Sequence, residues 1–317
     1  MKTRQAVLME PRKMEIREVD LTPGPGQVLV KIAVCGLCNW EQNHWKGIIG
    51  KPPQQLGHEW SGTVAEVGKG VTQLKPGDMV TGLPDGLGAF ADYMLTSAAS
   101  CFKLDESVVL EHALGEPLKC IVTVMRAAAA ESGDIGVVIG CGPMGLWCIQ
   151  GIGGNLPAAL IAVDFDPKKL EMAKRFGATH TVNPGTEDAA ARISEISDGH
   201  MADFVIEGTG LPSVTADAVK YFKSTRGRIA MMSTHQEPSR EFDWTPIHDK
   251  GAILMGTHPM FSLNEQDDMR RATFLINKGT FKMDGVISHK FKLEQIQEAF
   301  ETCENKPADY IKGVVEP

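Results

Sequence analysis

The chain has 317 residues, 43% hydrophobic and 23% charged, which points to a soluble globular protein of two domains rather than one small core. A net charge of −8 with no basic block argues against nucleic acid or an anionic membrane as partner. Seven cysteines without a framework spacing read as free thiols in a reducing cytoplasm.

Residues 1–21 alternate charged and apolar side chains and lack the continuous apolar stretch of a signal peptide. Short strands and turns are expected from there to about Thr96. A turn at 23–26 leads into a strand at 28–34, residues 62–68 alternate with period two, and a turn at 75–78 opens a strand at 79–81. This predicts an all-β unit. Within it, Cys38 is followed nineteen positions later by Gly57-His58-Glu59.

Residues 111–130 are rich in helix formers. Strand and helix patterns then alternate: strand 135–139, a helix at 144–151, strand 160–163, and an amphipathic helix at 167–176. Further strands are predicted at 204–206, 228–232 and 252–255. Such alternation means a parallel, doubly wound sheet. The tail reads as helix 266–277, strand 286–291, helix 293–303 and strand 310–315, expected to return to the first domain. The predicted division is 1–118, 119–262 and 263–317. Residues 135–163 carry no charge and are long enough to span a bilayer, but seven glycines and two prolines within them fit strand, turn, helix and strand instead.

Gly140-Cys141-Gly142-Pro143-Met144-Gly145 follows a predicted strand and opens a predicted helix, the setting a dinucleotide turn requires. Gly140 allows the tight turn, Gly142 lets backbone approach a pyrophosphate, and Gly145 lets helix pack on strand. Asp164, nineteen residues past Gly145, is placed to bond the ribose hydroxyls of NAD. Phe165 rather than Arg follows it, which favours NAD over NADP.

Cys38, His58, Glu59 and Glu116 supply the ligand types that zinc takes. Spacing alone leaves open a buried structural thiol at Cys38 and a hydrogen-bonded core imidazole at His58.

Taken in order, Val34-Cys35-Gly36-Leu37-Cys38, Leu56-Gly57-His58-Glu59, Gly62-x-Val64-x-x-Val67-Gly68, Lys75-Pro76-Gly77-Asp78-x-Val80, Gly115-Glu116-Pro117-Leu118 and the glycine turn span nearly the whole chain. With them the sequence resembles the zinc-dependent medium-chain dehydrogenase/reductases, in particular the sorbitol and threonine dehydrogenase branch of the alcohol dehydrogenases. The resemblance implies an α/β protein with a GroES-like β-rich catalytic domain and a doubly wound parallel-sheet Rossmann domain. It implies Cys38 and His58 as zinc ligands, with Glu59 and Glu116 binding directly or through water. It implies that Gly208-Thr209 and Ser233-Thr234 line the cofactor, together with the glycine turn, and that the chain forms a homodimer or homotetramer. The expected reaction is hydride transfer between NAD and a small-molecule secondary alcohol or ketone, first of all a polyol, inositol or keto-sugar.

Three departures bear on that expectation. Residues 82–88 run straight to 90–94, so the lobe that carries four closely spaced cysteines in such enzymes is missing, and one catalytic zinc per chain is expected. Trp40 stands where a proton-relaying Ser or Thr is usual, and Asn43 where His is frequent, so the usual relay lacks its residues; His44, the neighbour of Asn43, is a candidate catalytic residue. Lys119 follows Glu-Pro-Leu, where a small residue is common; it would act as an acid/base near the metal, or pair with Glu116 or reach solvent. Trp40, Asn43, His44 and Trp45 are expected near the pocket mouth, with a core position the alternative for Trp45. The competing readings are a zinc-free NAD(P)H quinone or enone reductase of the same superfamily and a non-catalytic dinucleotide-binding protein.

Overall fold

The computed structural model describes residues 1–154, 156–234, 238, 242–259 and 262–317. The chain divides into two compact units, one of Met1–Lys119 with Met269–Pro317 and one of Cys120–Asp268. Among the described residues, no helix is long and apolar enough to cross a membrane.

The first unit is built on strands. Lys2–Glu10 and Lys13–Asp20 pair antiparallel, joined through Arg12 in the left-handed region at φ 61°. The main sheet runs in the order Ile287–Phe291, Lys312–Val315, Gln27–Gly36, Glu59–Val67, Met79–Gly82 and Cys101–Lys103. Tyr93–Ser97 also pairs with Gln27–Gly36. The tail thus supplies two strands of this sheet, with Val314 opposite Gly36 and Gly36 opposite Glu59. Alternating apolar residues of these strands, among them Val28, Val30, Ile32 and Val64, meet Trp45, Trp60, Phe90 and Phe300 in one core. Trp45 stacks on Phe300 with ring centroids 5.2 Å apart.

The all-β expectation for the first hundred residues misses one element. Asn39–Trp45 is a short helix, begun by Cys38, whose Sγ accepts from the Trp40 N–H. Seven residues are too few to show a 3.6-residue period against a background of strands. The predicted helix over 111–130 divides into a single turn at Leu110–His112 and the helix Gly115–Ala128.

The second unit holds a six-stranded sheet in the order His180–Val182, Ala159–Val163, Ile135–Ile139, Phe204–Glu207, Arg228–Met231 and Ile253–Gly256. Every neighbouring pair is parallel. Numbered along the chain within this unit, that is the order 3-2-1-4-5-6 of a doubly wound dinucleotide-binding sheet. Val137, Ile161, Val205, Phe222 and Ile229 form its core. Strands buried on both faces read as apolar runs, which is why 135–139 and 159–163 stand out in the sequence. The short strand His180–Val182, with exposed His180, gives no such run.

Candidate active site

In the first unit, Cys38, His58 and Glu59 converge. One ligand atom from each lies within 4.8 Å of the other two, and among the described residues this is the group that could hold a metal ion. Three features of the fold bring them together. Cys38 ends the loop after Gln27–Gly36, Glu59 opens the neighbouring strand, and His58 precedes it. Gly36 makes room, since a Cβ there would stand 2.1 Å from Glu59 Oε2.

His58 is oriented from behind. Its Nδ1 is 3.1 Å from Oε1 of Glu41, which also accepts from the Gly57 N–H at 2.5 Å. Glu41 is fully buried and sits on the short helix three residues past Cys38. An Nδ1–H held by a carboxylate leaves Nε2 as the lone-pair nitrogen, the usual arrangement behind a metal-bound imidazole. Sequence reasoning passed over Glu41, because its role depends on a helix that the sequence pattern does not announce.

The three groups perturb one another's ionisation. Burial pushes the Cys38 thiol above its usual range, and the Glu59 charge adds to this. Burial opposes the charged form of His58, but Glu41 and Cys38 outweigh it and raise the imidazole well above 6.5. Burial likewise opposes Glu59 ionisation, and Lys312 and His58 reverse the effect, so its carboxyl lies below 4.5. Lys312 Nζ donates to Glu59 Oε2 and, at 3.0 Å, to the Leu37 carbonyl. Lys312 also escaped sequence reasoning, being a lone lysine 253 positions from its partner.

Glu116 and Lys119 share the first turns of Gly115–Ala128. Glu116 Oε2 is 3.8 Å from His58 Nε2, the ring nitrogen opposite the Glu41 contact. Lys119 Nζ is 3.3 Å from Glu116 Oε1, and the lysine is buried. Of the four residues expected near a pocket mouth, Trp40 is the exposed one, at 44%. Its ring meets His44 edge-on at 4.4 Å and His58 at 5.4 Å. Asn43 is half-buried. His44 is buried, with Nδ1 3.0 Å from Gln54 Nε2. Trp45 belongs to the core.

The second unit carries the glycine turn between strand Ile135–Ile139 and helix Pro143–Ile152. Gly140 has φ +90°, a conformation that side chains rarely adopt. A Cβ on Gly145 would stand 1.9 Å from the Gly140 carbonyl oxygen, so only glycine allows this helix to lie so close. Gly142 instead faces open space, with nothing within 4 Å of a Cβ built there. Pro143 and Met144 begin the helix, whose free N–H groups offer an anion site beside Gly142. Asp164 follows the neighbouring strand. Its carboxylate accepts from the Cys141 N–H at 2.7 Å and the Asp166 N–H at 2.8 Å, which ties it to the turn. Gly208 and Thr209 follow Phe204–Glu207, and Ser233 and Thr234 follow Arg228–Met231. Both loops lie at the carboxyl end of the sheet, where open parallel sheets take ligands.

The residues present fit both groups that the sequence implies. A thiolate, an imidazole and a carboxylate in mutual reach form a zinc donor set. The open face at Gly142 and the carboxylate at Asp164 fit the pyrophosphate and ribose of a dinucleotide.

Comparison with known proteins agrees with this architecture. Residues 24–106 match the family model of the alcohol dehydrogenase GroES-like domain, and residues 143–277 that of the zinc-binding dehydrogenase. The chain is similar to the L-threonine 3-dehydrogenase of Bacillus licheniformis, 27% identical, over 87% of each chain. It is 30% identical to a protein of Emericella nidulans named "Probable D-xylulose reductase A", over 91% of this chain and 89% of that one. The crystal structure of 2R,3R-butanediol dehydrogenase from Bacillus subtilis shares the fold, with a TM-score of 0.87 at 24% identity over 99% of each chain. With a GroES-like unit, a parallel dinucleotide-binding unit and relatives that span its length, the chain belongs to the zinc-dependent medium-chain dehydrogenase/reductase family.

Proposed function

We propose that this chain is a zinc-dependent, NAD-linked dehydrogenase that interconverts a secondary alcohol and a ketone, with a polyol, inositol or keto-sugar as substrate. The observation that carries the reading is the convergence of Cys38, His58 and Glu59 within 4.8 Å in a chain that also holds the glycine cradle. Cys38 and His58 would hold the metal, and Glu41 would fix the His58 ring. Glu59 is engaged by Lys312 and Glu116 by Lys119, and Glu116 also faces His58 Nε2, so either carboxylate would approach the metal directly or through water. When bound, zinc supplies Lewis-acid chemistry that eases loss of the alcohol proton, and the nicotinamide supplies the hydride acceptor.

The chain's own residues do the positioning. Gly142 and the helix start at Pro143 receive the pyrophosphate, and Asp164 takes the ribose hydroxyls and repels an added phosphate. Phe165, exposed beside it, brings no cation to a 2′-phosphate, which supports NAD over NADP. Trp40 offers an exposed ring beside His58 against which the carbon skeleton of a polyol can pack. With no hydroxyl at position 40, His44 is a candidate proton carrier, its Nδ1 held 3.0 Å from Gln54 Nε2. Relatives named for threonine, xylulose and butanediol support a small secondary alcohol.

The test is NAD reduction with a panel of polyols, inositols and secondary alcohols, in the wild type and in Cys38→Ser. Turnover on at least one member that Cys38→Ser abolishes is the expected result. Turnover equal in both would overturn the zinc reading.

A further inference from the structure

The glycine turn lies at the carboxyl end of the parallel sheet, together with the loops that follow Phe204–Glu207 and Arg228–Met231. Strands Ile135–Ile139 and Phe204–Glu207 are neighbours at the centre of the order, where the winding reverses. That reversal is the point at which an open parallel sheet takes a dinucleotide. The second of these strands ends in Glu207, a fully buried carboxylate that lies opposite Ile139.

One oxygen of Glu207 organises the turn that follows. Oε1 accepts from the Thr209 N–H at 2.7 Å, from the Gly210 N–H at 3.3 Å and from the Thr209 hydroxyl. The Thr209 hydroxyl oxygen accepts in turn from the Leu211 N–H at 3.2 Å. The held turn touches both neighbouring loops. A Cβ on Gly140 would meet Thr209 Cγ2 at 3.0 Å, and a Cβ on Gly210 would meet the Thr234 carbonyl oxygen at 2.8 Å. Burying a carboxylate is costly unless its hydrogen bonds are made, and the donors to Oε1 come from the turn itself. An apolar residue would fill the same space without holding it.

We propose that Glu207 is a positioning residue for the dinucleotide: it fixes the turn of residues 208–211 against the Gly140 turn, and so shapes the face that the cofactor meets. The inference rests on the reading of the glycine turn as a dinucleotide site. Glu207 itself makes no contact with cofactor in this account. It acts through Thr209 and Gly210.

The experiment is NADH titration, followed by fluorescence, of wild type, Glu207→Ala, Glu207→Gln, Thr209→Val and Thr209→Ser, with circular dichroism as the check on folding. Thr209→Val keeps the methyl that faces Gly140 and removes the hydroxyl bond to Glu207, whereas Thr209→Ser keeps the bond. Loss of a bond to a buried charged group predicts NADH binding roughly ten-fold weaker in Thr209→Val and weaker still in Glu207→Ala, with Thr209→Ser near wild type. In steady-state assays the KM for NAD should rise while kcat changes far less. If Glu207→Ala fails to fold, Thr209→Val and Glu207→Gln carry the test. Folded Thr209→Val and Glu207→Gln that bind NADH as tightly as wild type overturn the inference alone. A wild type that binds no NADH overturns the dinucleotide reading and this inference with it.

Discussion

Lys312 Nζ lies 2.5 Å from Glu59 Oε2, with both side chains buried beside the candidate metal ligands. Three adjacent strands create the pair: Lys312 opens the strand beside Gln27–Gly36, and Glu59 opens the strand on its other side. Burial alone would lower the Lys312 pKa, yet Glu59 and then Cys38 raise it above its usual value. Removing one partner of such a pair leaves the other charged and unsatisfied. Lys312→Met should cost about 3–5 kcal/mol in urea unfolding, and Glu59→Gln/Lys312→Met should recover much of it. A loss near zero in the single variant would show that the pair is not closed in solution.

If His58 holds a metal as proposed, Glu41 would act on it through the His58 Nδ1 contact. Glu41→Ala should weaken zinc binding roughly ten- to a hundredfold, because the imidazole loses the carboxylate that fixes its ring and tautomer. Competition against a chelator of known affinity measures this directly. Wild-type affinity in Glu41→Ala would mean that packing alone orients His58.

Asp164 already accepts two backbone N–H groups, but each carboxylate oxygen has a second lone-pair site for a ribose hydroxyl. Asp164→Ala should raise the KM for NAD roughly ten-fold and raise that for NADP less, so that the NAD preference shrinks. The ratio of the two kcat/KM values is the readout. An unchanged ratio would remove Asp164 from cofactor selection.

Glu304 is one contributor to acid stability in the first unit. The Glu304 carboxylate receives Arg12 through two N–H groups at 2.8 and 3.2 Å and the Trp45 Nε1–H at 2.8 Å. Arg12 first and Trp45 second hold its carboxyl down at about 2, against 4.5 ordinarily. A depressed folded-state pKa stabilises above the unfolded value, and the stabilisation is lost as pH falls from 4.5 through about 2. Glu304→Gln should therefore melt a few degrees below wild type near neutral pH, with the gap closing across that window. Thermal scans across the pH series test this. A gap that stays constant would place the effect in packing. Exposure of Arg12 keeps the contribution small.

The dinucleotide unit was the more legible half of the sequence. Its buried strands are continuous apolar runs, and the glycine turn has a fixed spacing because each glycine answers a local steric demand: a left-handed φ at Gly140 and a close carbonyl at Gly145. Cys38, His58 and Glu59 were legible as residue types, but what brings them together is long-range. Glu41 depends on a seven-residue helix, Lys312 on a strand returned from the end of the chain, and Glu207 on the loop it holds. None of these carries a periodic signal. Trp45 illustrates the converse: near Cys38 in sequence, it turns away from the candidate site into the core against Phe300.

The most direct test of the account is zinc per chain, by elemental analysis of wild type and His58→Ala purified without chelator. About one zinc is expected in the wild type and almost none in the variant. A wild type without zinc, or a variant that keeps the same amount, would contradict it.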